Sequence, residues 1–113
     1  MLNDAALIVG ANATAAVITH LSLHTTGAVT SSLNESTAAR LPVTWATDAD
    51  GDLTTGTKAF TGGAASGPAI RVGYWSALAA GVYYGGSLLT GDTAFNAAGA
   101  YTVTSIAENN TST

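Results

Sequence analysis

The chain has 113 residues, a formal net charge of −4 and no cysteine. Its length suits one domain able to bury a core without staples, and the missing thiols exclude a disulfide framework or a thiolate metal site. Only Arg40, Lys58 and Arg71 are basic. Three scattered cations cannot displace counterions from phosphates, so nucleic acid and an anionic membrane surface are not expected partners.

Charged residues make up 9% of the chain, against about 25% in ordinary domains. Hydrophobics reach 47%, with 23 alanines among them, so Thr, Ser, Asn and Gly must build most of the polar surface. A surface so poor in charge gains little from electrostatic repulsion and expects neighbours. The alternative is an ordinary low-charge secreted domain. No Lys or Arg precedes the apolar stretch Ala5–Gly10, so an export signal is not expected. Gly10 and Asn12 interrupt that stretch, well short of the roughly 20 apolar residues a membrane span needs. The expected place of synthesis is a cytoplasm, where the Asn-x-Ser/Thr triplets at Asn12, Asn34, Asn109 and Asn110 carry no glycan.

Residues 4–18 are the one helical candidate. Asn3 or Asp4 can cap it, and Leu7, Ala11, Ala15 and Ile18 recur at helical spacing, while Gly10 and Thr14 weaken it. Thr19–Thr25 alternates strictly and reads as a strand, with Leu21 and Leu23 inward and His20, Ser22 and His24 outward. Gly27–Thr37 reads as a long loop. Ala39–Ala46 reads as a second strand with Leu41, Val43 and Trp45 on one face, and Pro42 argues for a sheet edge because it cannot donate to a ladder. Asp48–Asp52 reads as a turn, Leu53–Phe60 as a short Thr-rich strand and Gly62–Gly67 as a connector.

The segments Ile70–Ala77, Gly81–Thr90 and Ala100–Ile106 alternate with period two and predict an antiparallel meander. Residues 1–18 then form a helical segment, 19–107 a β domain and 108–113 a polar tail. The fold class expected is mainly β: a small antiparallel β-sandwich-like domain with a short N-terminal α-helix.

Chemistry-bearing residues are few. His20 and His24 lie four apart, the spacing of a helical zinc pair, but on a strand and without a nearby third ligand. A solvated or interface strand face is the expected reading, with a metal site as the alternative. Asp48, Asp50 and Asp52 could serve a hard cation. Counting from Asp48, however, position twelve of a calcium loop is Ala59, and Asp-Gly is a tight-turn dipeptide. A hairpin turn is expected there, with weak calcium binding as the alternative. No Gly-x-Ser-x-Gly elbow is present, neither histidine has a local carboxylate to orient it, and no dinucleotide fingerprint follows a strand. Neither catalytic, cofactor-binding nor metal residues are assigned. The adjacent aromatics Tyr74–Trp75 and Tyr83–Tyr84 must point to opposite faces. With Trp45 and Tyr101, they serve a core, a subunit interface or a sugar-stacking platform.

Several motifs together resemble a known family: Leu21-Ser-Leu-His-Thr25 followed by Thr26-Gly27, Ala39-Arg40 before Pro42-Val-Thr-Trp45, Gly73-Tyr-Trp75, Tyr83-Tyr-Gly-Gly-Ser-Leu88 and Ala98-Gly-Ala-Tyr-Thr-Val-Thr104. Over residues 20–105 the chain is similar to small virion proteins of tailed bacteriophages, notably those of actinobacteria, described as minor tail, tail-fibre-like or head-decoration proteins. It departs from their pattern in the Asp48–Asp52 cluster and in the loop after Thr26. The resemblance implies a non-enzymatic virion component, most simply an accessory protein docked on the head, with a minor tail role as the runner-up. Its implied partners are a major capsid protein or a tail structural protein and further copies of itself, as a trimer or other symmetric cluster. Apolar burial and main-chain bonding are the expected means of attachment, with residues 1–18 laid against a neighbour.

Overall fold

The computed structural model describes residues 3–47, 49, 51–104 and 106–108. It is mainly β, with one N-terminal helix and three small antiparallel sheets.

Helix α1 spans Asp4–Val17. The side chain of Asn3 caps it by accepting from the Ala6 N–H at 3.0 Å, which satisfies one orphan donor of the first turn. The helix ends at the β-branched run Val17-Ile18-Thr19, where Ile18 is already extended. Leu7, Ala11 and Ile18 are buried, as their spacing predicts, while Val9 and Val17 are exposed on the opposite side. The inner face therefore packs on the chain's own domain. Thr47 Oγ1 donates to Asn12 Oδ1 at 2.9 Å, and Trp45 Nε1 donates to the Ile18 carbonyl at 3.1 Å.

The largest sheet contains β1 (His20–His24), β2 (Leu41–Pro42), β6 (Arg71–Trp75) and β7 (Tyr83–Leu88), in the order β2-β1-β6-β7. A second holds β3 (Ala46–Thr47), β4 (Leu53–Thr55) and β9 (Ile106–Glu108), and a third pairs β5 (Lys58–Phe60) with β8 (Tyr101–Val103). Pro42 lies on an edge strand, as its missing N–H requires. Leu21, Leu23, Val72 and Tyr74 from one face of the large sheet meet Phe60, Phe95, Tyr101, Val103 and Ile106 in a single core. Strands β3 and β4, on either side of the acidic segment, pair antiparallel. Gly51 takes φ +81° within that segment and packs against Leu7, where a Cβ would lie 2.7 Å from the Leu7 Cβ. Asp48 and Asp50 lie outside the described residues.

Several expectations need correction. Only β6 and β7 form the predicted hairpin; β8 pairs with β5 in another sheet, so the three segments are not a meander. Side-chain alternation fixes which face a strand buries but not which strand lies beside it. The expected strand Ala39–Ala46 divides into β2 and β3, and Leu53–Phe60 divides at Gly56 into β4 and β5, each half serving a different sheet. The last strand, β9, reaches Glu108, one residue into the expected tail; residues 109–113 lie outside the described residues.

Candidate functional site

Strand β1 pairs with β6 so that His20 faces Trp75, Ser22 faces Gly73 and His24 faces Arg71. These residues share the face of the large sheet opposite the apolar core. Sequence alternation placed Ser22 and His24 outward, on a wet or interface face. The structure overturns that: both are fully buried, as is Arg71. The cover is the 25–37 loop, closed on itself by Thr25 N–H to Asn34 O at 2.9 Å and pinned to β1 by Ser36 N–H to Leu23 O at 2.8 Å.

Hydrogen-bond chemistry fixes the protons in this layer. The Leu33 carbonyl can only accept, so His24 donates from Nδ1 to it at 2.9 Å. The neutral ring then accepts at Nε2, and the Ser22 hydroxyl donates to it at 2.6 Å. Trp75 Nε1 in turn donates to Ser22 Oγ at 2.8 Å. Burial depresses the His24 pKa below its ordinary value, with Arg71 and Arg40 acting in the same sense against the Leu33 hydrogen bond and the Glu35 charge.

Arg71 locks the loop from beneath. Its guanidinium donates to Thr26 O at 2.7 Å, to Leu33 O at 2.8 Å and to the Tyr83 hydroxyl, which in turn donates to Val29 O at 2.7 Å. Burial raises the Tyr83 pKa, and Arg71 opposes the rise. The rings close the layer: His24 lies parallel to Trp75 at 6.4 Å, and Tyr83 meets Trp75 edge-on at 5.1 Å. Arg40 stacks 3.6 Å above the Trp75 ring, grips Glu35 through two bonds of 2.9 Å and donates to the carbonyls of Ala77 and Ala80. Among the described residues, no buried side-chain polar atom is left unpaired.

Gly73 makes this layer possible. A Cβ there would lie 2.5 Å from His24 Nε2 and 2.6 Å from Ser22 Oγ. Ser22 and His24 have the contact geometry of a nucleophile and its base, yet the orienting group is a carbonyl and Trp75 seals the hydroxyl from solvent. No ligand reaches it without displacing the ring or the loop. His20 bonds Thr19 Oγ1 through Nδ1 at 2.9 Å, and His24 has both nitrogens engaged. Among the described residues, no group of three or more His, Asp or Glu could hold a metal ion.

Of the aromatics considered for sugar stacking, Tyr74 and Trp75 are buried and Tyr83 is half-buried. Only Tyr84, 46% exposed, offers a ring to solvent. A bulge explains it: Tyr74 pairs with Gly85 and Trp75 with Tyr83, leaving Tyr84 as the extra residue. Tyr84 borders a cavity of about 260 Å³, lined also by Tyr74, Gly85, Gly86, Ile18 and Thr14.

The sealed layer was not legible as a site. The available signal was Arg71 inside an otherwise apolar strand whose two side-chain sets both carry bulky residues, the mark of a strand covered on both faces. No protein-family model, curated protein or solved structure matches the chain.

Proposed function

We propose that this chain is a non-enzymatic accessory protein of a bacteriophage virion, docked on the head shell through apolar and main-chain contacts. The motif resemblance supplies the virion context. The supporting observation is that, beside the apolar core, charged and polar groups are tied up within the chain while several large apolar side chains are left exposed. Ser22, His24 and Arg71 are sealed, Arg40 is held by Glu35, and Lys58 donates to the Pro42 carbonyl at 2.9 Å. Meanwhile Val9, Leu33, Leu78, Val82, Tyr84 and Leu88 are exposed. Such residues on a low-charge surface suit a protein covered by neighbours on a symmetric particle.

The test is mass-spectrometric detection of the chain in purified particles of the phage whose genome encodes it, followed by washing. Retention through about 1 M salt, where the Debye length falls to about 3 Å, and through calcium chelation is expected. Release by either treatment would instead make charges or the acidic turn the attachment. Co-fractionation with tails rather than heads would move the protein to the runner-up location. A second reading, carbohydrate binding, is favoured by the Tyr84 ring beside its uncharged cavity; a glycan array with the Tyr84→Ala variant as control separates the two.

A further inference from the structure

The outer edge of β7 is where this sheet ends, and its main chain points to a specific occupant. Leu89 N–H bonds the Ile70 carbonyl at 2.9 Å. In an antiparallel ladder, residues alternate between facing the partner strand and facing away. Counting back along the register, Ser87 faces β6, while Gly86 and Leu88 turn their N–H and C=O groups away from it; Gly85, at φ +122°, adjoins the bulge. Among the described residues no strand pairs with that side.

Natural edges are blunted by lysine, proline, inward-pointing charges or bulges. This one carries no charged residue and no proline anywhere between Arg71 and Asp92. Its bulge lies at the Tyr83–Tyr84 end and leaves Gly86 and Leu88 turned outward.

We propose that the β7 edge binds the β7 edge of a second copy, antiparallel, about a two-fold axis through Ser87. The register follows from the geometry. A two-fold at Ser87 brings Gly86 opposite Leu88 of the other copy. Both have their main-chain groups turned outward, so each of the two symmetry-related pairs exchanges two hydrogen bonds. Ser87 meets its own copy in a non-hydrogen-bonded pair.

Side chains fit the same register. Leu88 pairs with Arg71 and projects to the Arg71 face of the sheet, whereas Gly86 carries no side chain and has room for none, since a Cβ there would lie 2.2 Å from Val72 O. Leu88, 59% exposed in the single chain, would lie across from a residue with no side chain and cover its backbone. A net charge of −4 makes two copies repel in general, but a segment free of charge can meet itself without like charges in contact. The large sheet then continues unbroken across both copies, and the cavity beside Gly85 and Gly86 borders the joint. This dimer is independent of whether the assembly is a virion.

The test uses the full chain. Sedimentation equilibrium of the wild type is expected to give a two-fold dimer. Leu88→Pro removes an outward N–H that β6 does not use, and Leu88→Lys adds like charge beside the axis. Each should raise the dimer dissociation constant about tenfold or more, the equivalent of losing one or two main-chain hydrogen bonds. Far-ultraviolet circular dichroism checks that both variants fold. Register is read with Ser87→Cys, in a chain that otherwise lacks thiols. Non-hydrogen-bonded partners lie about 4.5 Å apart between Cα atoms, inside the disulfide range of about 4.4–6.8 Å. Mild oxidation should cross-link it, whereas Thr54→Cys, at the exposed position of β4, should stay single. A wild type that remains monomeric, a strictly three-fold assembly, a dimer indifferent to both Leu88 changes, or equal cross-linking at the two cysteine positions would overturn the proposal.

Discussion

Replacing Gly73 by alanine sets two rules against each other. Glycine is a poor strand residue, and Gly→Ala at a compatible position stabilises by about 0.4–1 kcal/mol through the unfolded chain. At Gly73, the added Cβ would fall 2.5 Å from His24 Nε2, 2.6 Å from Ser22 Oγ and 2.9 Å from Tyr83 Cε1. Those atoms are held on all sides, Ser22 by Trp75 and His24 by Leu33 O, so none can give way without losing a bond. Overpacking costs about 1–3 kcal/mol, and each buried hydrogen bond broken adds about 1 kcal/mol. With one or two bonds lost, subtracting the entropic gain leaves a net loss of about 1–5 kcal/mol. Gly10→Ala is the matched control. Nothing lies within 4 Å of its added Cβ, and a helix-interior glycine is about 1 kcal/mol worse than alanine, so this variant should be more stable. Urea unfolding followed by tryptophan fluorescence reads both, and Trp75 reports directly on the layer. A Gly73→Ala protein as stable as the wild type would refute the packing described around Ser22 and His24.

Further outcomes follow from the same layer. His24 is held neutral, its pKa lowered by burial, with Ser22, Leu33 O, Arg71, Arg40 and Glu35 around it. Above the unfolded value of 6.5 both states are neutral and nothing is lost. As pH falls below 6.5 the unfolded chain takes the proton first, so stability declines by at most about 1.4 kcal/mol per pH unit down to the lowered native pKa. Denaturant titrations of wild type and His24→Gln between neutral and mildly acid pH check this; parallel curves would count against it. Arg71→Met leaves the Thr26 carbonyl without its donor, at about 1–3 kcal/mol, and should open the 25–37 loop to limited proteolysis before the sheet unfolds. Asn3→Ala removes the helix cap and should cost about 1 kcal/mol in thermal melts.

Local patterns were the legible part of this fold. Leu21 and Leu23 alternate and are buried, Leu7, Ala11 and Ile18 follow a helical period and are buried, and Pro42 marks an edge. Strand partnership was not legible. Tyr101–Val103 carries the same alternation whether it extends the β6–β7 hairpin or pairs with Lys58–Phe60, and the choice is made by core packing around Phe60 and Phe95. The polar layer was misread for a related reason. Alternation assumes one wet face, but the 25–37 loop has no periodicity to announce that it folds back over Ser22 and His24. What turns those residues inward is a set of main-chain carbonyls at Thr26, Val29 and Leu33, which leave no trace in side-chain composition.

Burial of that layer also decides where other molecules can meet this protein. Each of the three cations is committed to the chain's own oxygen atoms: Arg71 to carbonyls and Tyr83, Arg40 to Glu35 and two carbonyls, Lys58 to Pro42 O. An approaching partner therefore finds little positive charge to pair with, and exposed ion pairs contribute only about 0–1 kcal/mol in any case. Beside uncharged polar side chains, what lies outside includes apolar area on α1, the Leu78–Val82 loop and β7, together with the main-chain groups of the β7 edge. Apolar area is indifferent to salt, whereas main-chain bonding demands an extended segment in register. The two features coincide at Gly85–Leu88, where the sheet ends without a charge and an exposed leucine lies two residues from a glycine. On the proposed β7 pairing, lysines at that edge would protect a solitary chain, and they would also close the joint.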